Sequence, residues 1–97
     1  MMDQAKVMAV GDFLKEAFPG CSVVDMEEFD RDCQFYRVDD PGGGVRHRVR
    51  VSREFFDDHT IESILARLMA WDVGGLGRAA GARAVLVSNA GAEVVGS

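Results

Sequence analysis

Arg46, Arg48 and Arg50 alternate with His47, Val49 and Val51. In an extended chain that spacing puts three guanidinium groups on one side, about 6.5–7 Å apart along the strand. Such a row could track a phosphate backbone, with Tyr36 offering a ring for base stacking. It suits equally well the pairing of arginines with acids and aromatic rings across a sheet. The second use is the expected one.

The other clusters point to ordinary structure. Gly75-Leu76-Gly77-Arg78-Ala79-Ala80 matches the G-x-G-x-x-G/A string of dinucleotide-binding turns, which needs a strand before it and a helix after it. A helical pattern precedes it here, so a flexible connection is expected. Gly42-Gly43-Gly44 could present amides to an anion, but Asp39 and Asp40 flank it and no P-loop lysine follows. It reads as a hairpin loop. Cys21, Cys33, His47 and His59 contain no closely spaced ligand pair of the kind structural zinc sites use. No metal or cofactor is expected, and both cysteines read as reduced thiols. Ser52 and Ser88 lack a nucleophile-elbow context, so no catalytic residue is assigned.

The elements that would position these residues follow from periodicity. Asp3 caps a helix to about Phe18, with Val7, Val10, Leu14 and Phe18 on one face and Pro19-Gly20 as its stop. Strands are predicted at about 22–29, 33–38 and 45–52. Asp39-Asp40-Pro41 and the three glycines turn the chain between the last two. A second helix begins near Asp58 or Thr60, with Ile61, Ile64, Leu65, Leu68 and Met69 on its apolar stripe. Gly74, Gly75 and Gly77 are expected to break it, at about 1 kcal/mol each relative to alanine. A strand at 82–88 and a short return strand at 93–95 complete the chain.

The expected architecture is one α+β domain over residues 1–97, of order α-β-β-β-α-β(β). Two helices pack on one face of an antiparallel sheet. The α-β-β-β-α order is similar to that of the double-stranded-RNA-binding domain, whose basic cluster opens its second helix. This chain has Asp57-Asp58-His59-Thr60 at that place, the wrong sign for phosphate. The order also resembles that of acidic dimeric secretion chaperones, with no motif in common.

Composition narrows the function classes. Of 97 residues, 47% are hydrophobic and 28% charged, which are values of a folded globular chain. No apolar run approaches the roughly 20 residues that span a bilayer. Met1 to Val10 is interrupted by Asp3, Gln4 and Lys6, so no secretory signal is read and a cytoplasmic location is expected. The net charge is −5, but residues 46–56 alone carry +3. An acidic body disfavours membranes and polyanions in general. A local basic strip still acts at short range, within about 8 Å at physiological salt.

Pairing of the second and third strands with partner numbers summing to 84 places Cys33 opposite Val51 and Phe35 opposite Val49, under the helices. The other face then carries Tyr36 across from Arg48 and Val38 across from Arg46, joined by Val24 and Met26. Tyr36, Val38, Met26, Arg46, Arg48 and Arg50 are therefore the candidate interaction surface. Aromatic, methionine and arginine side chains together have the composition of a protein interface. The function expected is a non-catalytic protein-interaction domain that forms a homodimer and binds another protein. The alternative is a nucleic-acid-associated protein using the arginine strand.

Overall fold

Asp3 opens α1 (Gln4–Ala17) in the computed structural model, which describes residues 3–96. Its carboxylate accepts from the amides of Ala5 at 2.9 Å and Lys6 at 3.4 Å. Two of the amides that a helix start leaves unpaired are satisfied in this way. The helix buries Val7, Val10, Gly11 and Leu14 and ends at Phe18, before Pro19.

β1 (Ser22–Glu28), β2 (Cys33–Asp39) and β3 (Val45–Ser52) follow as an antiparallel meander. The hairpin β4 (Ala84–Ser88) and β5 (Gly91–Val95) adds to it, giving the strand order β1-β2-β3-β4-β5. β3 and β4 run parallel, so the sheet is mixed rather than wholly antiparallel. A parallel neighbour needs a crossover, and the chain between β3 and β4 provides one.

That crossover differs from the single helix expected. It holds α2 (Arg53–Asp58), α3 (Ile61–Ala70) and α4 (Val73–Ala80), so the described residues form four helices. The Ser52 hydroxyl caps α2 by accepting from Phe55 N at 3.3 Å, and α2 buries Phe55 and Phe56. Thr60 caps α3, whose buried side is narrower than its stripe of apolar residues. Ile64 and Leu68 are fully enclosed, Leu65 is half-buried, and Ile61 and Met69 face solvent.

The glycine segment forms a helix instead of breaking one. Asp72 caps α4 through Gly75 N at 3.2 Å. A Cβ on Gly75 would collide with that same carboxylate, and one on Gly77 would lie 3.1 Å from the Phe18 ring. A Cβ on Gly74 would sit 3.4 Å from that of Ala17. The missing side chains let α4 approach the end of α1, and this packing outweighs the weak helix propensity of glycine. The G-x-G-x-x-A string thus lies inside a helix that follows another helix.

The register of β2 on β3 is one residue away from the expected one. Tyr36 faces Val49, Val38 faces His47, Phe35 faces Arg50 and Arg37 faces Arg48. The slip turns every β2 side chain over. Tyr36 and Val38 are fully buried, beneath the helices, while Cys33 and Phe35 lie on the opposite face. A bulge absorbs the difference at the turn, where Asp39 pairs with Val45 and Arg46 becomes the extra residue.

Tyr36 selects this register. Its hydroxyl donates to the Val7 carbonyl at 2.7 Å, and Gly11 gives its ring room, since a Cβ there would already lie 3.8 Å away. Burial raises the phenol pKa, so it stays a protonated donor. Tyr36 and Val38 join Val49, Val51, Val85 and Val87 in one cluster with Leu14, Phe55, Ile64, Leu68 and Val73. Buried residues of all four helices belong to that cluster, so all four cover the same side of the sheet. No helix among the described residues is long and apolar enough to cross a membrane.

Candidate interaction face

Alternation along the strands leaves the uncovered face to Val24 and Met26 of β1, Phe35 and Arg37 of β2, and Arg48 and Arg50 of β3. Leu86 of β4 continues the row beside Arg50, and Glu93 of β5 lies beside Leu86. Val24 and Met26 are 40% and 48% exposed. Phe35 is largely enclosed, although no helix covers it. The Arg50 guanidinium lies 4.8 Å from its ring centre, a cation–π contact that also shields the ring from water.

Three groups interlock at one end of this face, where β1 closes and β2 opens. Arg50 Nε donates to Glu28 Oε1 at 2.8 Å, and Cys33 Sγ donates to the same oxygen at 3.3 Å. The bond from Arg50 holds the Glu28 carboxyl below its ordinary pKa. Burial, assisted by the Glu28 carboxylate, pushes the Cys33 thiol up to about 11. At neutral pH Cys33 is therefore a neutral thiol, not a thiolate nucleophile.

The arginines do not form an open row. Arg48 and Arg50 share the face, whereas Arg46 sits in the bulge and pairs with Asp40 at 3.2 Å. Arg37 holds Asp39 through Nε at 2.9 Å and Nη2 at 3.0 Å. Arg48 differs from these, since Nη1 donates to the Ala82 carbonyl at 2.8 Å and no carboxylate accompanies it among the described residues. Of the expected surface, Met26, Arg48 and Arg50 lie together on the open face and Arg46 at its edge. Tyr36 and Val38 lie beneath the sheet because of the register slip. Phe35 and Leu86 were missed for the same reason and for lack of a partner assignment for β4.

The histidines have separate surroundings. His47 is buried at 8% exposure and stacks on Phe18 with ring centres 4.3 Å apart. Burial lowers its pKa from the ordinary histidine value, and the nearby Gly77 backbone offsets this only in part. The folded protein therefore keeps it neutral where the unfolded chain binds a proton. Stability should be insensitive to this group above about pH 6.5 and should fall below it, by up to about 1.4 kcal/mol per pH unit. Urea midpoints at about pH 7 and about pH 5.5 check this. His47→Gln should reduce the difference, and an unchanged difference would remove His47 as its source.

His59 ties the α2–α3 corner to the β4–β5 turn. Its Nδ1 lies 3.2 Å from Ser63 Oγ and its Nε2 3.0 Å from Asn89 Oδ1, while Asn89 Nδ2 donates to Asp58 at 2.7 Å. Arg67 Nε donates to Ser63 Oγ at 3.3 Å, so one consistent direction runs from Arg67 through Ser63, His59 and Asn89 to Asp58. Sequence spacing could not foresee this bridge, since Asn89 lies thirty positions from His59. Ser52 and Ser88, the serines weighed from sequence, take no part in it. Among the described residues no group of three His, Cys, Asp or Glu side chains could hold a metal ion.

Comparison with known protein families, with curated proteins and with solved structures finds no match for this chain.

Proposed function

We propose that the chain is a small protein-interaction domain, without catalysis of its own, that pairs with a second copy through the open face of its sheet. The observation that carries this is the one-sided placement of all four helices. It leaves Val24, Met26 and Leu86 among arginines on a face that no helix among the described residues covers. Five strands at about 4.8 Å spacing make a face about 24 Å wide. A standard interface takes about 800 Å² from each partner. Strands of five to eight residues make it about 17–26 Å long, so the face supplies the greater part of that area and its rim the rest.

Charge favours a second copy as the occupant. Arg48 and Glu93 lie on this same face, and neither makes an ion pair among the described residues. A two-fold axis over β4 brings Arg48 of each copy to Glu93 of the other, with Ala84 and Leu86 between. The two unbridged cysteines suit a reducing, cytoplasmic compartment.

Sedimentation tests the reading through a charge exchange. The wild type should be dimeric, and Arg48→Glu or Glu93→Arg alone should weaken pairing at least about tenfold, since like charges then oppose each other. The double exchange should restore it. A monomer at every concentration would overturn the proposal. So would steeply salt-dependent binding of a random duplex by the monomer, which belongs to the nucleic-acid alternative.

A further inference from the structure

A hollow of about 430 Å³ interrupts the open face where β3, β4 and β5 run side by side. Arg31, Arg50, Ser52 and Ser88 line it with polar groups, and Leu86 and Val95 with apolar ones. Its size lies within the roughly 300–1,000 Å³ of small-molecule sites.

The polar groups all have donors to spare. Arg50 spends Nε on Glu28, but its terminal nitrogens make no hydrogen bond among the described residues. Arg31 is exposed and makes no ion pair among them. Ser52 Oγ accepts from Phe55 N at 3.3 Å and Ser88 Oγ from Ala90 N at 3.2 Å. An accepting hydroxyl keeps its own proton to give. Glu28 supplies the nearby negative charge, and Arg50 and Cys33 already bond to its Oε1. The hollow thus offers four donors, two of them cationic, beside an apolar wall.

We propose that this hollow binds an amphipathic monocarboxylate, its head on Arg31 and Arg50 and its short apolar tail against Leu86 and Val95. A guanidinium fork matches a carboxylate in shape as well as charge. The serine hydroxyls complete the head site. A bare inorganic anion would leave the apolar wall unused, and an alkyl cation would meet two arginines. The hollow lies within the area that pairing would cover, so ligand and second copy contend for it. That competition rests on the pairing proposed above, whereas the binding itself does not.

Amide NMR of the dilute protein with octanoate, octylammonium and inorganic phosphate tests the site. Octanoate should shift the Ser52, Leu86 and Ser88 amides saturably, and octylammonium should not. Phosphate should bind more weakly than octanoate. Arg31→Gln, at an exposed position outside the core, should weaken octanoate about tenfold or more through loss of a charge-assisted bond. The proposal is overturned if octanoate gives no saturable shift, or if octylammonium moves the same amides equally. Phosphate binding as tightly as octanoate, or an unaffected Arg31→Gln, would overturn it too. Sedimentation of the same samples separates the two readings. Octanoate binding to a protein that never dimerises sinks the pairing alone, and an Arg48→Glu monomer, whose hollow is uncovered and lacks none of its lining, sinks the site alone if octanoate leaves its amides unmoved.

Discussion

Tyr36→Ala should remove a large share of the protein's stability and lower its urea midpoint well below that of the wild type. The side chain is fully enclosed, packs at Gly11 and lies in the cluster that joins α1 to the sheet. Truncating a buried aromatic to alanine costs about 3–5 kcal/mol. A domain of this size holds about 5–15 kcal/mol in all. Tyr36→Phe keeps the ring and removes only the donor to the Val7 carbonyl, so it should cost about 0.5–1.5 kcal/mol. Urea unfolding of the pair also reads out the register. With Tyr36 on the open face, both variants would stay near wild type, and that result would reinstate the alternative pairing.

Leu68→Ala carries the next largest effect, about 2–5 kcal/mol. Leu68 is fully buried, whereas its neighbour Met69 is 72% exposed. Met69→Ala should therefore change stability by no more than about 0.5 kcal/mol. Thermal midpoints of the two variants check which side of α3 faces inward. Equal losses would mean that the helix is rotated from the orientation described.

The contrast between these two residues shows what the sequence could convey. Periodicity located α3 and its central leucine, but the stripe from Ile61 to Met69 was broader than the side that finds cover. β3 was legible because only one of its faces is apolar. β2 was not, because Cys33 and Phe35 on one side are as apolar as Tyr36 and Val38 on the other. Either set could enter the core, and the bulge at Arg46 settles the choice through a local irregularity that no alternation encodes. The helix at Val73–Ala80 was hidden for another reason. Its glycines oppose a helix locally and permit one only through contact with Phe18 and Ala17, far away in the chain.

The open face inherited both kinds of signal. Met26, Arg48 and Arg50 lie on the face where alternation put them because β1 and β3 kept their parity. Phe35 was missed with the β2 register, and Leu86 and Val95 could not be placed until β4 had a partner. The hollow was illegible for that reason, since its walls come from segments whose proximity depends on the parallel seam.

That seam also orders how the chain can assemble. Strand partners in the β4–β5 hairpin begin only three positions apart, at Ser88 and Gly91, whereas Arg48 and Ala84 are 36 positions apart. Closing a longer loop costs more entropy, so the β1–β2–β3 meander and the β4–β5 hairpin can form before the two are joined. Until α2, α3 and α4 are laid down, β3 and β4 each expose an unpaired edge that belongs in the middle of the sheet. A hairpin from another chain offers that edge the same hydrogen bonds and the same valines. Exchange of the β4–β5 hairpin between two copies is therefore the misassembly this topology favours during refolding at high concentration.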